Sequence, residues 1–189
     1  MSSLCVYCGS SSGNDPAYRE AARALGQRLG AEGITLIYGG GNVGLMGEVA
    51  NATLAAGGEV TGVIPTGLRV REVGHEGLTR LEEVGSMHER KQRMFELADA
   101  FVALPGGFGT LEELIEVATW GQLGKHRKPI VMFDVAGYWT ELLRFLDSAV
   151  EHGLLRAENR ALIADATDLE GVFAAIAAYD VPLVDKWMP

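Results

Sequence analysis

Apolar positions along the chain fall into short runs, separated by stretches in which they recur every three or four residues. Residues 4–7 form the first run, and the polar loop Cys8-Gly-Ser-Ser-Ser-Gly-Asn follows it. Asp15-Pro16 then opens a helix, with Asp as N-cap and Pro at the first helical position. Ala21, Leu25 and Leu29 repeat along it at intervals of four, and Gly33 marks the turn after it. Residues 34–38 read as a second strand, running straight into Gly39-Gly-Gly-Asn-Val-Gly-Leu-Met-Gly47. The next helix stops at Gly57-Gly58, and residues 60–64 form a third strand. Further strands are predicted at 78–84, 100–104, 130–133 and 162–164, with helices at 86–99, 111–123 and 138–152. Strand and helix alternate throughout, which predicts a parallel sheet covered on both faces. The expected architecture is a Rossmann-like, doubly wound, three-layer α/β/α fold, a single domain over residues 1–189. Its site belongs at the carboxyl ends of the strands.

Composition narrows the partners. A chain of 189 residues with 48% hydrophobic and 22% charged content can bury a sizeable core. Apolar runs such as 102–104 and 130–133 fall far short of the ~20 residues that span a bilayer. The first strand begins too early to leave room for a secretory leader, so a cytoplasmic location is expected. A net charge of −9 disfavours nucleic acid and membrane surfaces, which are themselves anionic. The basic residues are nonetheless clustered at Arg69, Arg71, Arg80, Arg90, Lys91 and Arg93. That cluster is either a solvated charged face or a place to recruit a small anion. Cys5 and Cys8 lie on or just after a strand, where an offset of three sends side chains to opposite faces. No second Cys or His pair stands at ligand spacing, so the two read as buried thiols and no metal site is expected.

Two glycine loops carry the candidate chemistry. Gly39-x-Gly41-x-x-Gly44 lies between a strand and a helix, the setting of a dinucleotide fingerprint. The acid that an NAD site places at the end of the next strand is missing, because that strand ends in Ile64-Pro65-Thr66. The loop reads either as glycines for close packing or as backbone brought near a ligand without dinucleotide chemistry. In the second reading Gly41 is a candidate binding position. The other loop is Pro105-Gly-Gly-Phe-Gly-Thr-Leu-Glu-Glu113. Gly106, Gly107 and Gly109 allow successive N–H groups to converge on an anion, aided by the dipole of the helix that follows. No Gly-Lys-Ser/Thr completes a Walker A loop, and a monophosphate suits the loop better than a magnesium-bound triphosphate.

Glu113 has two readings at this point. Thr110-x-x-Glu113 has the spacing of a capping box, in which Glu113 merely satisfies a helix N-terminus. Alternatively it is a catalytic carboxylate. The upstream helix favours the latter. Ser86-x-x-Glu89 is itself a capping box, after which Met87, Arg90, Met94 and Leu97 share one face. Arg90 therefore sits on an apolar stripe, where a guanidinium must pair with a carboxylate or phosphate or else snorkel to solvent. Lys91 lies on the adjacent face.

Met87-His-Glu-Arg-Lys91 followed by Pro105-Gly-Gly-Phe-Gly-Thr-Leu-Glu-Glu113 strongly resembles the paired motifs of the LONELY GUY family. These are nucleoside 5′-monophosphate phosphoribohydrolases that activate cytokinins, and members were long mislabelled lysine decarboxylases. The resemblance runs from Val6-Tyr-Cys-Gly-Ser-Ser through Tyr38-Gly-Gly-Gly-x-x-Gly-Leu-Met-Gly47 to Thr119-Trp-x-Gln-Leu-Gly124. Carried over by position, it implies catalytic roles for Arg90 and Glu113. It implies substrate contacts at Glu72, Lys91, Gly107, Phe108, Gly109, Thr110, Leu111, Glu112 and Thr119, with Met87 and Gly41 beside them. The reaction implied is hydrolysis of the N-glycosidic bond of AMP or a cytokinin riboside monophosphate, giving free base and ribose 5-phosphate without metal or organic cofactor. Lysines are few and none sits in a recognisable pyridoxal phosphate setting, so decarboxylation has no support.

The competing class is a nucleotide sensor or carrier on the same scaffold. Arg90 with Glu113 discriminates, because phosphate binding alone needs no carboxylate near the ribose. The helix at 111–123 also carries Leu114, Ile115, Ala118 and Trp120. That apolar surface, together with the resemblance, implies a homodimer with its site close to the subunit boundary; otherwise Trp120 packs in its own core.

Overall fold

The computed structural model describes residues 1–68 and 74–180. Its seven strands are β1 (Ser3–Tyr7), β2 (Thr35–Tyr38), β3 (Val60–Pro65), β4 (Arg80–Val84), β5 (Ala100–Ala103), β6 (Ile130–Phe133) and β7 (Ala164–Ala166). They form one parallel sheet in the order β4-β3-β2-β1-β5-β6-β7. The connecting helices are α1 (Pro16–Glu32), α2 (Gly44–Ala55), α3 (Met87–Leu97), α4 (Phe108–Gln122), α5 (Thr140–Glu151), α6 (Ala157–Arg160) and α7 (Leu169–Ala177). The expected doubly wound, three-layer α/β/α architecture is the one that forms.

Alternation along β1 builds both cores. Leu4, Val6 and Cys8 face one side and pack with Leu25 and Leu29 of α1, Val49 of α2 and Val172 of α7. Cys5 and Tyr7 face the other side, with Met94 of α3, Leu114 of α4 and Leu143 of α5. The two cysteines are thus buried, free and on opposite faces, as a strand offset of three requires. Among the described residues no helix is long and apolar enough to cross a membrane.

Local signals set most boundaries. The Asp15 carboxylate accepts from Ala17 N–H at the start of α1, and Gly33 ends that helix in the left-handed region at φ 67°. The Ser86 hydroxyl accepts from Glu89 N–H at 3.2 Å to start α3. Two expectations shift. β7 lies at Ala164–Ala166 rather than 162–164, and α4 begins at Phe108, three residues before the predicted start. Glycines on either side of Phe108 hide that first turn from an apolar-periodicity reading. α6 and α7 also escaped prediction, although Leu169, Val172, Phe173 and Ile176 repeat at helical spacing.

The strand order reverses between β1 and β5, which pair directly in the register Tyr7↔Ala103. The loop leaving β1 turns toward α1 and the β2 side, and the loop leaving β5 turns toward α4 and the β6 side. Diverging loops leave a crevice at their carboxyl ends, the usual ligand position in this architecture.

Candidate active site

The crevice is a cleft of about 270 Å³. Cys8, Gly9 and Ser10 line it from the β1 loop, and Gly107, Phe108, Gly109, Thr110, Glu112 and Glu113 from the β5 loop and α4. Met46 of α2, Leu68 after β3, and Met87 and Arg90 of α3 complete the wall. The loops are tied together by backbone: Gly9 N–H donates to Pro105 C=O at 3.0 Å, and Gly9 C=O accepts from Leu45 N–H at 3.1 Å. A larger groove of about 880 Å³ opens at the opposite, amino-terminal ends of the strands. Its acids are already engaged, Asp99 by Ser2 and Ser3 and Glu32 by Arg28.

The early start of α4 removes the capping-box reading of Glu113. The N-cap is Gly107, which has no side chain to offer, and Thr110 stands in the third helical position. No capping box joins Thr110 to Glu113 in this geometry. Thr110 is instead buried beneath the loop, where a Cβ on Gly106 would fall 2.0 Å from its hydroxyl. Glu113 lies on the second turn, 8% exposed, with its carboxylate toward α3. The first N–H groups of α4 have no side-chain cap and lie at the cleft, where they suit an anion.

Arg90 does not snorkel to solvent. It is 6% exposed, and its Nη2 stands 3.7 Å from Glu113 Oε1. That distance is an ion pair rather than a hydrogen bond. Nη1 contacts Met87 Sδ at 3.8 Å, and the buried Nε has no hydrogen-bond partner among the described residues. A buried guanidinium with donors to spare is costly unless a ligand uses them. The first glycine loop makes room for it: a Cβ at Gly39 would lie 1.9 Å from Arg90 Nη2. Gly44 plays a similar part, because a Cβ there would strike the Ser10 backbone at 2.3 Å. Close packing is therefore what these glycines serve. Gly41 pairs with Gly74 in an isolated bridge and does not line the cleft.

The family model described as possible lysine decarboxylase matches residues 46–176. A protein of Oryza sativa subsp. japonica named "Probable cytokinin riboside 5′-monophosphate phosphoribohydrolase LOGL9" is 51% identical over 93% of this chain and 78% of its own length. Cytokinin riboside 5′-monophosphate phosphoribohydrolase LOG7 of Arabidopsis thaliana is 48% identical over 94% of this chain and 82% of its own. The chain belongs to the LONELY GUY family. In fold it also resembles the Moco carrier protein of Chlamydomonas reinhardtii, at TM-score 0.70 and 22% identity, covering 93% of this chain and 94% of that one.

Within this LONELY GUY chain the remaining motif residues divide. Met87, Arg90, Gly107, Phe108, Gly109, Thr110, Glu112 and Glu113 meet at the cleft. Lys91 does not line it. Its buried ammonium bonds the carboxylates of Glu112 and Glu116, the latter at 3.0 Å, and so clamps α3 to α4. Leu111 packs toward the core, and Thr119 is exposed on α4 with its hydroxyl donating to Ile115 C=O at 2.7 Å. Glu72 lies outside the described residues. No described lysine lines the cleft, since Lys125 lies over Trp120 and Lys128 over Phe95.

Sequence reasoning did not single out Cys8, Ser10, Met46 or Leu68 as lining residues. They come from the β1 loop, helix α2 and the turn after β3, and follow no spacing rule. The Cys8 thiol is pushed well above its usual range by burial and then by the Glu113 charge, with Arg90 opposing. It is a neutral wall of the cleft rather than a nucleophile.

Proposed function

We propose that this chain hydrolyses the N-glycosidic bond of AMP or of N6-substituted adenosine 5′-monophosphates, releasing free base and ribose 5-phosphate. The observation that carries the reading is the buried Arg90–Glu113 pair at the mouth of an uncapped helix N-terminus. The cytokinin riboside 5′-monophosphate phosphoribohydrolases it resembles supply the substrate class. In this reading Gly107, Gly109 and the first N–H groups of α4 hold the 5′-phosphate, so that remote binding energy positions the ribose. Bond breaking leaves an oxocarbenium-like ribose, by analogy with O-glycoside cleavage. The Glu113 carboxylate orients or deprotonates the attacking water and stabilises that positive charge. Arg90 sets its positive charge beside the Glu113 carboxylate and offers its unpartnered Nε–H to the departing base or the phosphate. A carrier needs the phosphate cradle but not this carboxylate.

The reading extends to assembly and location. Phe108 and Ile115 of α4 and Leu123 at its C-cap are 93%, 41% and 44% exposed, beside the exposed Met87. An apolar stripe that starts at the cleft suits a two-fold partner, so the working unit is a homodimer with α4 at its boundary. Trp120 is half-buried behind the stripe, edge-on to Phe95 at 5.0 Å, and supports the interface from within. Soluble phosphorylated substrates accord with a cytoplasmic location.

The test is chromatography of products from a panel of nucleoside monophosphates, with and without EDTA. Free adenine-type base and ribose 5-phosphate are expected in both arms. A panel left intact under both conditions, with nucleotide still bound, establishes the carrier instead.

A further inference from the structure

The Pro105-Gly106-Gly107 segment has every one of its carbonyls engaged by another group of the chain. Pro105 C=O accepts from Gly9 N–H at 3.0 Å, and Gly107 C=O accepts from Leu111 N–H at 3.1 Å in the first turn of α4. Gly106 C=O accepts from the Tyr138 hydroxyl at 2.5 Å. In a planar trans peptide, C=O and the following N–H point in opposite directions. A carbonyl drawn toward Tyr138, which does not line the cleft, turns the Gly107 N–H away from Tyr138; Gly107 does line the cleft. Of the three clamps, two are backbone groups and one is a side chain.

Tyr138 is 41% exposed, but its backbone is firmly placed. It follows the 3-10 turn Val135–Gly137, in which Ala136 adopts a left-handed φ of 51°. The Asp134 carboxylate accepts from Trp139 N–H at 2.5 Å and from the Thr140 hydroxyl at 2.7 Å. The buried Trp139 indole donates to Ala103 C=O at 3.3 Å, anchoring the turn to the end of β5. The Tyr138 ring packs edge-on against Tyr18 of α1 at 5.5 Å and against Trp139 at 4.7 Å.

We infer that Tyr138 is a positioning residue for the phosphate cradle: its hydroxyl holds the Gly106–Gly107 peptide so that an N–H, and not a carbonyl, faces the anion. The inference rests on the proposed phosphate site. Without the hydroxyl, the Gly106 carbonyl is free to rotate toward the cleft and oppose the phosphate with a lone pair.

Tyr138→Phe removes the hydroxyl and keeps the ring contacts. With ribose 5-phosphate as the probe, calorimetry should show binding weakened about three- to tenfold, the effect expected for one lost hydrogen bond. KM for AMP should rise by a similar factor while kcat stays within about twofold, because the cradle grips ground state and transition state alike. Tyr18→Leu provides the structural control: it loosens the same ring packing, should lower the melting temperature and should leave ribose 5-phosphate affinity unchanged. Equal affinities for the wild type and Tyr138→Phe overturn the clamp while leaving the hydrolase reading intact. A Tyr18→Leu variant that weakens binding as much as Tyr138→Phe also overturns it, since packing alone then explains the effect. A wild type that binds ribose 5-phosphate but cleaves no nucleotide sinks the hydrolase reading, and the affinity ratio still decides the clamp. Failure of the wild type to bind the probe at all removes the phosphate cradle and the clamp with it, while the nucleotide panel still decides the hydrolase reading.

Discussion

The guanidinium of Arg90 and the carboxylate of Glu113 face each other across the α3–α4 seam at 3.7 Å, with 7% and 9% of their side chains exposed. Neither partner is near the other in sequence, and each would be a poor choice for its helix face alone. Glu113→Gln keeps an oxygen that can accept from Arg90 while removing the charge. If Glu113 acts on the attacking water, kcat should fall by roughly two orders of magnitude or more. Because Gly107 and not Thr110 caps α4, no cap is lost, and any fall in melting temperature comes from the Arg90 charge left buried without its counter-charge. Near-normal turnover in the variant would remove Glu113 from the chemistry.

Two glycines should fail in different ways. A methyl at Gly39 lands 1.9 Å from Arg90 Nη2, and the flexible guanidinium is what must move. Gly39→Ala should therefore lower kcat by about tenfold or more, with a modest change in melting temperature. Gly107 has a φ of −96°, and a Cβ there meets nothing within 4 Å. Gly107→Ala should fold normally, raise KM for AMP and narrow the preference for AMP over adenosine. Steady-state kinetics on both substrates separates the two outcomes; identical kinetic signatures would contradict the distinct roles assigned to the loops.

The exposed stripe on α4 predicts a concentration-independent dimer by light scattering at micromolar protein. Ile115→Glu places a charge on that stripe without touching the cleft wall, and it should produce monomers with reduced activity. A wild-type mass of one chain, or a variant dimer of unchanged mass, moves the interface off this helix.

Stability should fall as pH drops through the histidine range. Burial first, then Lys128, holds His126 below its usual pKa, partly opposed by its hydrogen bond to Val117 C=O. Its Nδ1 accepts from Lys128 N–H at 3.1 Å, a bond that protonation breaks. His75 is likewise lowered by burial, and its Nδ1 accepts from Gly77 N–H. The native state thus binds fewer protons than the unfolded chain just below about pH 6.5, so stability declines below that point and is flat above it. The window lies above the carboxylate range, which keeps Glu82, Glu96 and Asp99 out of it. Melting temperatures between about pH 5 and 8 should show the slope, and His126→Gln should reduce it, leaving the His75 share; an unchanged slope would assign the effect elsewhere.

Much of this was legible before folding. The alternation of apolar runs and helical stripes, the Asp15 and Ser86 caps and the Gly33 stop are local signals, carried by neighbours within four or five residues. They determined the element order and the parallel, doubly wound sheet. The position of Arg90 on an apolar stripe already required a partner, because a buried guanidinium is too costly alone. Which partner it takes was decided only in three dimensions. Thr110-x-x-Glu113 could not be told from a capping box until Gly107 was seen to cap α4, since glycines on either side of Phe108 concealed the first turn. The gathering of Cys8, Ser10, Met46 and Leu68 at the cleft follows from the reversal of strand order between β1 and β5, a property of the whole sheet. The clearance that Gly39 leaves for Arg90, and the grip of Tyr138 on Gly106, join residues 51 and 32 positions apart in the chain. No periodicity or motif encodes such distances; packing creates them, once burial of the two cores has brought the strand ends together.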